Sequence, residues 1–312
     1  MGGMARVAIV GVGAIGGVVA SLLQSAGRHE LVLCVRRPLK ELVVETPGIG
    51  LRSDMNEEIR REMRIEATIL TQPEEAPPVD WVFVATKAYD AAGAARWLEF
   101  LGAQGAPVAV LQNGVEHRER FAPYVAADRI VPVIVDCPAE RRPGQSDGVE
   151  RVVQRGPMSL KVPGNERGEA FVELFSGTAA DAAVVDDWTT VAWRKLCHNA
   201  AGVLPALLLQ PAGVLREDAM GDVALDLVRE CVAVGRAEGA TLADTVPEDV
   251  LAAYRRSAPD SINSLHADRL AGRPMETDAR NGVIVRKGRK HSIPTPANSM
   301  AVALLGAMTT KP

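Results

Sequence analysis

The segment Thr190-Val191-Ala192-Trp193-Arg194-Lys195-Leu196-Cys197-His198-Asn199-Ala200 carries the most suggestive polar pair in the chain. At helical spacing Lys195 and Asn199 stand one turn apart on a common face. The stripe through them continues to Gly202 and Ala206, all polar or small, while the adjacent stripe of Leu196, Ala200, Val203 and Leu207 is apolar and suits a core. A narrow polar stripe on an otherwise buried helix reads as the wall of a ligand cleft. A lysine drawn into such a cleft loses water and gives up its proton more readily, which suits a general acid for carbonyl reduction. A lysine at a domain interface that snorkels to solvent has the same spacing, so the residues alone leave both roles open. His198 lies off the stripe and reads as a packed or surface residue.

A second chemical signal lies at the start of the chain. Arg6 to Val10 is followed by Gly11-Val12-Gly13-Ala14-Ile15-Gly16, three glycines at the spacing that admits a pyrophosphate. Gly11 allows the tight turn, Gly13 lets the backbone approach the phosphates, and Gly16 lets a helix beginning near Ala14 and Ile15 pack close to the strand. The new helix N-terminus points unsatisfied N–H groups at the anion. The next strand ends in Cys34-Val35-Arg36-Arg37, where a protein specific for NAD would offer an acid to the ribose hydroxyls. Arginine can bind a 2′-phosphate that an acid would repel, so Arg36 favours NADP, although a solvated arginine pair also suits a loop.

Two further strand ends carry polar groups. Residues 79–87 form a buried strand pattern ending in Thr86-Lys87, and residues 107–111 form another, ending in Gln112-Asn113-Gly114. In an open parallel sheet, ligands sit beyond the carboxyl ends of the strands, so the glycine loop, Arg36, Lys87 and Asn113 converge there. Singly, Lys87 reads equally as a solvated lysine and Asn113-Gly114 as a turn. Ser264 and Asp268 stand at helical spacing, followed by Met275-Glu276-Thr277-Asp278-Ala279-Arg280-Asn281-Gly282. The residues by themselves make Glu276 and Asp278 first-turn carboxylates that complement a helix dipole.

The elements that must position these groups divide the chain in two. Strand and helix patterns alternate as far as about residue 186, with a charge-rich lobe or hairpin at 51–69, a strand at 129–135, and an antiparallel addition at 152–153 and 159–162. Beyond it, helical patterns succeed one another at 189–209, 216–239, 247–257, 260–271, 275–290 and 296–308. The expected fold is α/β, with a Rossmann-type dinucleotide-binding domain at 1–186 and an all-helical domain at 187–312 that carries the substrate and catalytic groups.

Composition narrows the class. With 312 residues, 47% hydrophobic and 24% charged, the chain can bury a sizeable core. Its net charge of -4, pI near 5.8 and 4% aromatic content offer no footprint for nucleic acid. No apolar run approaches the ~18 residues of a membrane span, and no secretory signal pattern precedes the first strand. Cys34, Cys137, Cys197 and Cys231 are widely separated, without metal-ligand or disulfide-framework spacing. The expectation is a cytoplasmic protein with reduced cysteines, no metal, a small-molecule substrate, and a homodimer as the assembly to test.

Together, Gly11-x-Gly13-Ala14-x-Gly16, Thr86-Lys87, Gln112-Asn113-Gly114, Trp193-Arg194-Lys195-Leu196-x-x-Asn199 and Glu276-x-Asp278-x-x-Asn281-Gly282 resemble the ketopantoate reductase family, in its order and approximate spacing from residue 4 to about 300. The resemblance implies NADPH-dependent reduction of a 2-keto acid to a 2-hydroxy acid in a cleft between a Rossmann and a helical domain, a step of pantothenate biosynthesis where the acid is ketopantoate. It makes Lys195 the general acid and Glu276 the group that orients substrate. It also places Ser264 on the substrate, Asn199 in its pocket, and Lys87 and Asn113 at the cofactor and hydride-transfer region. One position departs: where members that reduce ketopantoate often carry a pocket asparagine before a proline, the chain reads Val203-Leu204-Pro205. A buried hydroxyl without its partner costs roughly 1–3 kcal/mol, which leaves the substrate open between ketopantoate and a related carbonyl. Two other functions fit the same motifs. A reductase of a different ketone, β-hydroxy acid or imine on the same plan is favoured by Val203. A non-catalytic NADPH-binding sensor would be expected to have lost the acid lysine, which is present.

Overall fold

The computed structural model describes residues 3–52, 58–102, 105–142 and 148–309. It falls into two compact units, one of Met1–Gln112 with His117–Asp186, the other of Asn113–Glu116 with Asp187–Pro312. The first unit runs β1 (Ala5–Val10), α1 (Ala14–Ser25), β2 (His29–Cys34), β3 (Glu41–Arg52), β4 (Glu58–Arg64), β5 (Thr68–Leu70), β6 (Trp81–Val84), α2 (Ala91–Leu101), β7 (Val108–Val110), α3 (His117–Phe121) and β8 (Ile130–Pro132). It continues with β9 (Ile134–Asp136), β10 (Ala139–Arg142), β11 (Val149–Gln154), β12 (Ser159–Pro163), α4 (Glu166–Leu174) and β13 (Asp181–Val185).

Its main sheet has the order β5-β2-β1-β6-β7-β8, with every pair parallel. The order reverses between β1 and β6, and that switch point is where such sheets bind nucleotides. These strands are continuous apolar runs because both faces are covered. Alternate residues serve different cores: Val7, Ile9, Leu33 and Phe83 join α1 together with Phe171 and Phe175, whereas Ala8, Val10, Val32, Val82 and Val110 join Trp97, Leu98 and Phe121. Phe83 stacks on Phe171 with centroids 5.4 Å apart.

Two smaller sheets depart from the sequence reading. Residues 152–153 and 159–162 were expected as an antiparallel addition, but both strands pair in mixed fashion. β11 runs parallel to β3 and antiparallel to β10, and β12 runs parallel to β13 and antiparallel to β9. The lobe or hairpin expected at 51–69 is a hairpin, but it begins earlier, at Glu41, and ends at Arg64; residues 53–57 lie outside the described region. The β3–β4 ladder accommodates Pro47 and the glycines after it through a register shift between Pro47 and Arg52.

The second unit contains α5 (Trp188–Ala201), α6 (Val203–Leu208), α7 (Asp218–Ala237), α8 (Val246–Arg256), α9 (Ser264–Leu270), α10 (Val283–Lys290) and α11 (Pro296–Thr309). The single helix expected at 189–209 is interrupted at Gly202, and the one expected at 275–290 starts as a π turn over Asp278–Gly282. Asp187 caps α5 by accepting from Thr190 N at 2.9 Å. Among the described residues no helix is long and apolar enough to cross a membrane.

Candidate active site

The glycine loop follows β1 at the switch point of the sheet. Gly11 has φ +98°, and a Cβ there would stand 2.7 Å from Thr86 N, so only glycine makes this turn. A Cβ on Gly16 would lie 2.2 Å from Gly11 O, which is how closely α1 approaches the strand end. Ala14 and Ile15 form the first turn of α1, and Ile15 packs on the core behind the loop. No side chain caps this helix and no acid lies in its first turn, so its N–H groups and dipole remain available to an anion. Nothing would crowd a ligand at Gly13, whose absent Cβ would meet no atom within 4 Å. These features fit a dinucleotide pyrophosphate.

Arg36 follows β2 and is exposed, with Nη1 3.1 Å from the Asp90 carboxylate. Lys87 follows β6 and is half-buried; its carbonyl accepts from Gln112 Nε2 at 3.3 Å. Gln112 ties the strand ends together, since Nε2 also donates to Thr86 Oγ1 at 3.0 Å and Oε1 accepts from Arg120 Nη1 at 3.1 Å. His117 Nε2 lies 2.8 Å from Gln112 O, and burial pushes this imidazole down to about 4.

Asn113, expected at the sheet end, belongs with the helical unit, where its Nδ2 donates to Glu276 Oε2 at 3.0 Å. This corrects the helix-dipole reading of Glu276. The carboxylate precedes the π turn, is 5% exposed, and faces a side-chain partner rather than a helix N-terminus. Asp278 does lie in the first turn, where it is exposed and pairs with Arg286.

Lys195 and Asn199 are half-buried on α5. The polar stripe stops with them: Gly202 ends the helix, and Ala206, like Val203, is fully buried in the apolar core. Four side-chain donors meet the carbonyls at and just past the end of α5. Tyr254 Oη donates to His198 O at 3.0 Å, Arg280 Nη2 to Asn199 O at 2.8 Å, Asn281 Nδ2 to Ala200 O at 3.2 Å, and Asn263 Nδ2 to Gly202 O at 2.8 Å. His198 packs as expected, its ring 4.4 Å from that of Tyr254. Burial pushes the Tyr254 hydroxyl up to about 12 despite the nearby Arg280 cation. Burial lowers the Arg280 guanidinium from its usual range, against the pull of Tyr254, Glu276 and Asp268.

Ser264 is exposed as the first residue of α9, behind the Asn263 cap, and no hydrogen bond among the described residues joins it to the other expected site residues. Asp268, one turn further, is buried and paired with Arg273 at 2.9 Å. The sequence reading assigned no role to Arg280, Tyr254 or Asn263. The only signal was a charged residue, Arg280, set between Ala279 and Asn281 in an otherwise motif-like stretch.

Comparison with known proteins places these features. Residues 7–163 match the family model of ketopantoate reductase PanE/ApbA, and residues 187–309 match the model of its C-terminal domain. A 2-dehydropantoate 2-reductase from Caulobacter vibrioides is 48% identical over 307 residues, covering 97% of this chain and 99% of that protein. The solved PanE/ApbA family ketopantoate reductase from Ralstonia eutropha JMP134 is 27% identical, with a TM-score of 0.83 over 97% of this chain and 98% of that one. A dimeric ketopantoate reductase from Staphylococcus aureus, 20% identical, shares the fold with a TM-score of 0.81 over 97% of this chain and 98% of its own.

Proposed function

This chain belongs to the ketopantoate reductase family, whose members are NADP-dependent oxidoreductases acting on CH–OH groups, and from that premise we propose that it reduces the keto group of ketopantoate or a related 2-keto acid to the 2-hydroxy acid. The observation that carries the reading is the buried Glu276 carboxylate, held by Asn113 Nδ2 at 3.0 Å in the unit that also presents Lys195 and Asn199. An ionised carboxylate offers several lone-pair sites, so one that accepts from an amide can also accept from a substrate hydroxyl.

Gly11, Gly13, Ala14, Ile15 and Gly16 would hold the dinucleotide, Arg36 its 2′-phosphate, and Lys87 and Asn113 its reactive end. When bound, NADPH supplies the hydride for the carbonyl carbon. The chain's own groups do the rest. The Lys195 ammonium stabilises negative charge growing on the carbonyl oxygen and then donates its proton to that oxygen, to be reprotonated by solvent. Glu276 accepts a hydrogen bond from the substrate and fixes its orientation. Asn199, one turn from Lys195, lines the pocket, and Ser264 contacts the substrate. We take the working assembly to be a homodimer.

A panel of 2-keto acids assayed by loss of NADPH absorbance tests this. The expected result is turnover of ketopantoate or of a close 2-keto acid. Absence of turnover with every acid, in a protein that binds NADPH, overturns it. The second reading, a reductase of another carbonyl, rests on the sequence departure at Val203 alone, since its side chain packs wholly in the helical core and not on an exposed pocket wall. Preference for simple apolar 2-keto acids over ketopantoate supports it.

A further inference from the structure

Arg280 is 2% exposed. A guanidinium taken that far from water is costly unless its N–H groups find partners, and an apolar side chain of similar volume would avoid the cost. Its Nη2 donates to Asn199 O at 2.8 Å, while Nε has no hydrogen-bond partner. The surrounding backbone is shaped to this group. A Cβ at Gly202 would stand 2.9 Å from Arg280 Nη2, 2.6 Å from Tyr254 Oη and 3.0 Å from Asn263 Nδ2, so even alanine would press on all three.

The position of Arg280 in the chain gives this cation a purpose. The π turn over Asp278–Gly282 adds a residue to the helical repeat, and within it Asp278 is exposed while Arg280 is buried. Glu276 lies four residues before Arg280 in the same segment, and its charge acts on the guanidinium together with that of Asp268. At its other end the guanidinium meets the last turn of α5, where a cation complements the exposed carbonyls and the helix dipole. One side chain therefore links the backbone that carries Asn199 and Lys195 to the segment that carries Glu276.

We propose that Arg280 is a positioning residue of the reductase site: from the turn that follows Glu276 it holds the carboxyl end of α5 and so sets Lys195 and Asn199 in register with Glu276. The inference rests on the roles proposed above for those three residues. Arg280 acts through them and touches no substrate.

The test compares the full-length wild type with Arg280→Leu and Arg280→Lys. It measures kcat and KM for the best 2-keto acid of the panel, NADPH affinity by fluorescence, and thermal stability. A displaced site predicts that Arg280→Leu lowers kcat/KM about a hundredfold, chiefly through kcat, with NADPH affinity within about twofold. Arg280→Lys restores the charge and one donor and should recover at least about tenfold of that loss. A role in stability alone would lower the melting temperature and leave kcat and KM of the folded protein unchanged, and that result overturns the proposal. So does a lysine variant no better than leucine. If Arg280→Leu does not fold, Arg280→Lys decides: a loss of about tenfold in kcat/KM with NADPH affinity retained supports the proposal, and wild-type kinetics overturn it. A wild type inactive on every 2-keto acid fails the functional reading first and takes this inference with it, so the two failures are distinguished before any variant is measured.

Discussion

Lys195 and Glu276 divide the work of the proposed site. In the proposed mechanism the ammonium would answer charge that develops only as the reaction proceeds, whereas the carboxylate, already held by Asn113, would orient what is bound. Loss of the lysine should therefore cost rate rather than cofactor binding. Lys195→Ala is expected to lower kcat by about 10²–10⁴-fold with NADPH affinity little changed, as steady-state kinetics and fluorescence titration would show. A variant with near-normal kcat, or one that loses NADPH binding and catalysis in equal measure, would assign the lysine to structure or to the cofactor. The motif around Lys195 and Asn199 was legible in the sequence because helical spacing alone puts them on one face. Arg280 was not, because its importance comes from meeting Asn199 O across a separation of 81 residues.

At the scale of elements, the helical unit is held by ends rather than by stripes alone. The close of α5 is met by four side-chain donors, and the close of α7 is tied to α10 by a charge cluster. Glu238, just past α7, accepts from Lys287 Nζ at 2.9 Å and Lys290 Nζ at 2.7 Å and also meets His291. Burial alone would push this carboxyl up, but the hydrogen bonds from Lys287, Lys290 and His291 outweigh it and hold it at about 2, against an ordinary value of 4.5. The sign follows: a carboxylate depressed on folding adds stability that is complete above its unfolded value and is lost as pH falls through its folded one. The contribution, about 2–3 kcal/mol, should disappear between about pH 5 and pH 2. Glu238→Gln should lower the melting temperature at pH 7 and flatten its dependence on pH over that acid range, as calorimetry would report. An unchanged acid limb in the variant would assign the pH dependence elsewhere.

At the scale of the molecule, ligand binding and stability are linked, because a cofactor that binds only the folded chain stabilises it. At a hundred times its dissociation constant the effect is about 2.7 kcal/mol. Arg36 makes this readout discriminating, since its exposed guanidinium has one carboxylate partner, Asp90, and lies at the end of β2 beside the glycine-loop strand. NADPH should therefore raise the melting temperature more than NADH at equal concentration, and Arg36→Ala should remove most of the difference. A charge-assisted contact of this kind is worth roughly 1.5–3 kcal/mol. Equal shifts from the two cofactors in the wild type would show that the 2′-phosphate is not recognised and overturn this role for Arg36.

What the chain determined by itself is whatever rests on local chemistry. The βαβ nucleotide unit was legible because Gly11 supplies the positive φ of the turn and Gly16 meets Gly11 O five residues back, both local demands, and because β1, β6 and β7 are continuous apolar runs that only a sheet covered on both faces can use. The succession of helices after residue 186 was legible from their periodicity. Tertiary structure decided what depends on distant partners. Strand β3 exists because β11 and β4 pair with it despite Pro47. The carbonyls where α5 ends are met by Tyr254, Arg280, Asn281 and Asn263, from segments 56 to 81 residues away. Glu276 faces Asn113 across 163 residues rather than capping the helix that follows it, because an amide from elsewhere in the chain reaches its carboxylate. Spacing in the sequence specifies which groups can share an element, but a buried polar group is answered by whichever donor the fold brings within 3 Å, and that choice is made in three dimensions.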